Sequence, residues 1–224
     1  MKNVIKSHDH RFSSLAKTSF PGHLKRLIPA AALCLTLIAV PLTGCFEPKP
    51  QQTIYKETSD TTNAILLLRK VCDLYPDYGP AFEELGMLYA DHHDPLAIEY
   101  LNTALRLDPK NTNALYGMAM YYQDLNQPEK AEEIYKQILD INSNHKEAWH
   151  NRGYLQLFTY GDYPVAIEHL TRAIQCDSNF IEAWTNRGCA YELMGDKKHA
   201  REDFMAALLI DHTFQPAIDG LNRL

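Results

Sequence analysis

Small residues recur at a fixed long spacing: Ala64, Ala97, Ala131, Ala166 and Ala200 stand 33, 34, 35 and 34 residues apart. Three further columns keep this register. They are Phe82, Leu115, Trp149, Trp184 and Ile218; Leu68, Leu101, Tyr135, Leu170 and Phe204; and Val71, Ala104, Ile138, Ala173 and Ala207. The letters agree as well, since residues 147–154, EAWHNRGY, and 182–189, EAWTNRGC, share six of eight. A period near 34 residues restricts the chain to a stacked array, because so short a unit cannot bury its apolar face without a neighbour.

Within a unit the spacing is helical. Ala97, Leu101, Ala104 and Leu105 recur at i, i+4, i+7 and i+8, and Phe82, Leu85, Gly86 and Tyr89 line a face of the preceding half. Asp, Asn, Gly and Pro punctuate the halves at "DHHDP" from Asp91, "NQPEK" from Asn126, "YGDYP" from Tyr160 and "MGDKK" from Met194. "DPKN" from Asp108 and "DSN" from Asp177 mark turns between units. Two antiparallel helices approach closely only where one side is small, which explains the alanine and glycine columns beside bulky ones. The order Trp184, Gly188, Tyr191, Ala200, Phe204, Ala207 resembles the tetratricopeptide repeat family. That resemblance implies an all-α fold, a right-handed superhelix (α-solenoid) of helix-turn-helix repeats.

The implied units are residues 79–111, 112–145, 146–180 and 181–214, after a degenerate half repeat at 61–78 and before a closing helix at 215–224. The first unit is one residue short in its elbow and the third one long, while Gln156 and Ala119 replace the usual tyrosine and glycine; these changes are expected to tilt neighbouring units. Arg152 and Arg187 fall where an apolar residue is usual. A partly buried guanidinium needs a partner, and Asp203 is expected to serve Arg187; the alternative is a solvated stem lying on the helix.

The front of the chain differs in character. Lys2, Lys6, Arg11, Lys17, Lys25 and Arg26 stand against Asp9, and residues 27–40, LIPAAALCLTLIAV, carry no charge. This run is shorter than the roughly 20 apolar residues of a membrane span and suits a signal-peptide core. Leu42, Thr43, Gly44 and Cys45 then resemble a bacterial lipobox, which implies cleavage after residue 44 and acylation of Cys45. An uncleaved anchor or a plain secretory signal would leave the placement of Cys45 unexplained. Several acyl chains on one cysteine give stable membrane attachment. Phe46 in place of aspartate favours the outer membrane, with the body facing the periplasm. Residues 45–60 lack periodicity and read as a lipidated tether. Removing residues 1–44 takes away 6 of 22 basic and 1 of 28 acidic residues, leaving 16 against 27, a formal charge of −11. Nucleic acid is a poor partner for such a body. Cys72, Cys176 and Cys189 are an odd number, so no complete disulfide framework is available, although a Cys176 to Cys189 bridge stays open.

Candidate chemistry is sparse. Adjacent histidines in "DHHD" point in different directions on a helix, and His145 and His150, five apart, do not share a helical face as the HExxH pair does. No catalytic residue, metal or cofactor is expected. In the tetratricopeptide resemblance the first helix of each unit lines the inner curve, and five of its positions face a peptide. They fall here on Glu83, Met87, Tyr116, Met120, Glu147, His150, Asn151, Tyr154, Glu182, Thr185, Asn186, Cys189 and Glu192. Without a lysine or arginine they do not resemble the family's clamp for a terminal carboxylate. Aromatic rings and methionines offer apolar contact, asparagines can bond a peptide backbone, and carboxylates suit a basic ligand. Lys197, Lys198 and Arg201 form a minor candidate patch near the last elbow.

The expected function is a non-catalytic, membrane-anchored scaffold or adaptor in the bacterial cell envelope, holding a partner protein or peptide in the concave groove. The family resemblance offers two models: adaptors for peptidoglycan hydrolases and proteases, and assembly factors for a type IV pilus or secretin. An envelope hydrolase or metal enzyme is the third alternative. The partner's identity and the oligomeric state are not legible in the sequence.

Overall fold

The repeat columns become the seams between helices. A computed structural model describes residues 61–224, which lie within one compact unit of the chain. The segments expected to be a signal peptide (1–44) and a lipidated tether (45–60), with the expected acylation site Cys45, lie outside the described residues. Among the described residues there are ten α-helices, one π-helical turn and no strand. They are α1 (Thr61–Leu74), α2 (Gly79–Asp91), α3 (Leu96–Leu107), α4 (Thr112–Asp124), α5 (Pro128–Ile141), α6 (Lys146–Leu155), α7 (Tyr163–Cys176), α8 (Ile181–Leu193), α9 (Lys197–Ile210) and α10 (Gln215–Arg223). Helices pack as consecutive pairs, α2 on α3, α4 on α5, α6 on α7 and α8 on α9, and each pair stacks on the next. The result is an all-α repeat solenoid. None of these helices is long and apolar enough to cross a membrane.

The second helix of each pair supplies the core. Ala97, Ala131, Ala166 and Ala200 are each 0% exposed, and so are Leu101, Tyr135, Leu170 and Phe204. The glycine opposite explains how the bulky residue fits. A Cβ on Gly188 would stand 2.8 Å from Phe204 Cε1, closer than carbon atoms tolerate, so α8 and α9 meet at van der Waals distance only because nothing is there. Trp149 and Trp184 pin the turns before them by donating from Nε1 to the carbonyls of Ser143 and Ser178, at 2.8 and 2.9 Å.

Turn chemistry repeats too. Asp108, Asn142, Asp177 and Asp211 each accept, through Oδ1, the backbone N–H two residues on, at 2.8 to 3.1 Å. Asn111, Asp162 and Asp196 cap α4, α7 and α9. Every elbow places one residue in the left-handed region: His93 (φ 54°), Asn126 (55°), Gly161 (70°) and Gly195 (83°). The histidine cluster is thus part of a turn, and His93 Nδ1 comes within 3.9 Å of Asp124 Oδ2. The extra residue of the third unit is taken up inside a helix, where Gln156–Tyr160 widens into a π-helical turn that ends at Gly161.

Candidate binding groove

Helices α2, α4, α6 and α8 bring the predicted ligand positions along one side of successive repeats, and the structure divides these positions into two groups. Glu83, Met87, Tyr116, Met120 and Tyr154 are partly exposed. His150, Asn151, Thr185, Asn186 and Cys189 are buried, with 7, 6, 3, 7 and 1% of their surface exposed. For this second group the expectation of direct peptide contact is corrected, and the reasons are local.

Asn151 is spent inside the protein. Its Nδ2 donates to Tyr135 Oη at 3.0 Å and Tyr116 Oη at 3.2 Å, and stands 3.4 Å from Met120 Sδ. Its Oδ1 lies 2.9 Å from His150 Nδ1, and His150 Nε2 lies 2.9 Å from Asn186 Nδ2. The asparagines therefore bind interior partners and not a peptide backbone. The Phe180 ring covers His150 at a centroid distance of 4.8 Å. Burial holds the imidazole below its ordinary pKa, outweighing the bond to Asn151 and the charges of Glu182 and Glu147. Burial also pushes the Tyr116 hydroxyl up to about 12, so it stays protonated.

The closing helix seals the last repeat. Arg223 on α10 donates to Glu192 through Nε at 3.0 Å and Nη2 at 2.8 Å. Cys189 lies in the same region, and burial pushes its thiol up to about 12, too high for a thiolate nucleophile. Thr185 returns its hydroxyl to the Ile181 carbonyl at 3.0 Å. Cys72, Cys176 and Cys189 are all free thiols, so the 176 to 189 bridge is not formed.

What remains open is a strip across the first three repeats. Met87 and Met120 line it with Tyr116 and Tyr154, and Phe158 in the π-helical turn joins Tyr154 at a ring distance of 4.7 Å. Met87 belongs to the packing as well, since a Cβ on Gly117 would meet its Cγ at 3.2 Å. Glu83 accepts a 2.7 Å hydrogen bond from Asn111, and Glu147 stands 3.4 Å from His145 Nδ1. At the rim Lys146 pairs with Asp177 and lies over the Phe180 ring at 5.4 Å. Phe158, Phe180 and Lys146 were missed from the sequence. The signal for Phe180 was its place directly before the fourth unit, where it faces back onto α6. Among the described residues no three His, Cys, Asp or Glu side chains converge as metal ligands would.

On the other side of the helices Arg187 donates to both oxygens of Asp203, as expected. Burial raises the Asp203 carboxyl above its ordinary pKa even beside the guanidinium, while the bond to Asp203 holds the Arg187 guanidinium charged.

Tetratricopeptide repeat models match residues 96–151 and 181–213. Superkiller protein 3 of Schizosaccharomyces pombe is 29% identical over 144 residues, 61% of this chain and 10% of that protein. The chain spans about a tenth of the length of the curated relatives it matches. The crystal structure of YrrB, a TPR protein with an unusual peptide-binding site, superimposes with a TM-score of 0.60 at 19% identity, covering 77% of this chain and 89% of that one. That of MamA gives 0.63 at 24% identity, covering 73% and 95%. These two likenesses concern the fold alone. With the alanine column and the bulky column facing it buried in register and the family models on two separate stretches, the chain carries tetratricopeptide repeats.

Proposed function

We propose that the protein is a lipid-anchored adaptor of the bacterial cell envelope that holds a partner protein by a basic, apolar segment laid along the open strip. Tetratricopeptide arrays are interaction scaffolds that present concave surfaces, and one observation carries the reading here. The first helices of three successive repeats leave Met87, Tyr116, Met120 and Tyr154 partly exposed, beside Glu83 and Glu147, while the cores beneath are fully packed. Polarisable side chains and aromatic rings accept varied apolar anchors, and the carboxylates favour a cationic ligand. The lipobox-like sequence at Cys45 supports attachment to a membrane, and Phe46 favours the outer one, facing the periplasm.

In-cell photo-crosslinking from positions 87 and 154, with mass spectrometry of the captured peptides, tests the partner. Capture of a cell-wall hydrolase or protease through a basic segment supports the adaptor, whereas capture of a secretin subunit favours an assembly factor. No capture at either position, with capture beside Lys198, removes the groove from the reading. For the anchor, Cys45→Ser should leave unacylated precursor, and normal acylation of that variant refutes the lipid site.

A further inference from the structure

One of the hydrogen bonds that tie the third repeat to the fourth passes through an imidazole. Asn186 Nδ2 on α8 lies 2.9 Å from His150 Nε2 on α6, and His150 Nδ1 lies 2.9 Å from Asn151 Oδ1. An amide nitrogen only donates, so Nε2 accepts and the single ring proton sits on Nδ1, where Asn151 accepts it. Asn151 Nδ2 then donates to Tyr135 Oη at 3.0 Å, and Tyr135 donates to Gln123 Oε1 at 3.1 Å. All donors in this row point from the fourth repeat toward the second. The row closes only with a neutral ring, because a second proton, on Nε2, would face the N–H groups of Asn186, donor against donor.

We propose that His150 is a proton switch at the seam between the third and fourth repeats: a proton taken from solvent onto Nε2 breaks the bond to Asn186 and frees α8 to shift against α6. Relief requires the Asn186 amide nitrogen to withdraw from the ring, or the amide to turn its oxygen toward it.

Ionisable groups face the ring from each neighbouring element. Glu147 of α6 and Glu182 of α8 act on the ring by charge; Tyr116 of α4 and Tyr135 of α5 reach it through Asn151, and Lys146, paired with Asp177 from the turn after α7, lies over the Phe180 ring that covers it. Helix α7 turns His169 and Arg172 toward Trp149. The two glutamates favour a charged ring and burial opposes it more strongly, which keeps the bond intact at neutral pH and places its rupture at acid pH. A shift of α8 would alter the angle at which the fourth repeat continues beyond the strip, and with it the surface that a long partner segment could follow. That consequence for partner binding rests on the groove reading, but the switch itself does not.

The test needs no partner, so failure of the switch and failure of the groove are read separately. In the full-length ¹⁵N-labelled protein, the His150 ring and the amides of α8 are followed by NMR from neutral to acid pH. The expected result is a His150 midpoint below that of free histidine, with the Asn186 side-chain amide and its α8 neighbours moving at the same midpoint. Asn186→Asp supplies an acceptor for the second proton and should raise the midpoint by about one pH unit or more. His150→Gln should remove the movement of α8, which guards against an Asp variant that fails to fold. The proposal is overturned if α8 stays still while His150 titrates, if its movement persists in His150→Gln, or if His150 remains neutral until the chain unfolds.

Discussion

Arg187 reaches both oxygens of Asp203 at 2.8 Å and, through Nη1, the hydroxyl of Thr171 at 2.9 Å. One repeat earlier the same column places Arg152, but the counterpart of Asp203 is His169. Arg152 therefore turns to the preceding repeat and donates to Glu132 Oε1 at 3.0 and 2.8 Å. Among the described residues this leaves Glu132 Oε2 and His169 Nδ1 buried without hydrogen-bond partners. Identical arginines thus tie different pairs of helices, according to one residue in the next helix.

Removing one member of the buried pair strands the other. Asp203→Ala should cost about 3–5 kcal/mol in urea denaturation, while Arg187→Met combined with Asp203→Leu should recover most of that loss. Equal losses in the single and double variants would show that the pair does not behave as a desolvated couple.

Two glycines should respond differently to the same change. At Gly188 an added methyl meets the fixed ring of Phe204 at 2.8 Å and the Ala200 carbonyl at 3.3 Å. Gly188→Ala should cost about 1–3 kcal/mol. At Gly117 the nearest atom is the flexible Met87 side chain at 3.2 Å. There the gain of up to about 1 kcal/mol in helix propensity offsets the displacement, and Gly117→Ala should unfold within about 0.5 kcal/mol of the parent. Thermal and urea unfolding of both variants checks the order.

Burial is the dominant influence that holds His145, His150 and His169 below the ordinary histidine pKa. Below about pH 6.5 the unfolded chain takes up more protons than the folded one, so stability falls as pH drops through this value. Asp124 and Asp203, raised by burial, act in the opposite sense closer to the carboxylate range. Melting should therefore be compared between about pH 7.5 and 5.5. His169→Phe removes a titrating ring while keeping its packing on Trp149. It should lessen the acid loss, and an unaltered slope would remove His169 from this account.

The open strip and the buried row should separate by phenotype. Tyr154→Ser and Met87→Ser are expected to lower partner capture about tenfold or more, as lost apolar anchors do. They should affect melting less than Asn151→Ala, which opens a hydrogen-bonded interior. Measuring capture and melting on the same three variants distinguishes contact from support.

The fold was legible because its repeat is written in side-chain size. An alanine every 34 residues or so, facing a bulky residue, has one cheap solution, a stack of helix pairs. The binding strip was legible only in part. Helical position says which way a side chain leaves the backbone, but not whether a neighbour will cover it. Asn151 and Asn186 share one column, and both left the surface: one meets His150 and two tyrosines, the other meets the far side of the same imidazole. The left-handed column was hidden because His93, Asn126, Gly161 and Gly195 have nothing in common but a backbone angle. Its asparagine and glycines are ordinary choices there, whereas His93 reads as a turn only once Asn126 and Gly161 are aligned with it.

The widened turn at Gln156–Tyr160 places the additional residue of the third repeat in a helix where a loop could have absorbed it. Deleting one residue there would restore regular winding and change the angle at which the fourth repeat follows, while Met87, Tyr116 and Met120 keep their identities. Shape and chemistry can therefore be varied independently in this molecule. A partner that tolerates the deletion reads the side chains, and one that does not reads the curvature.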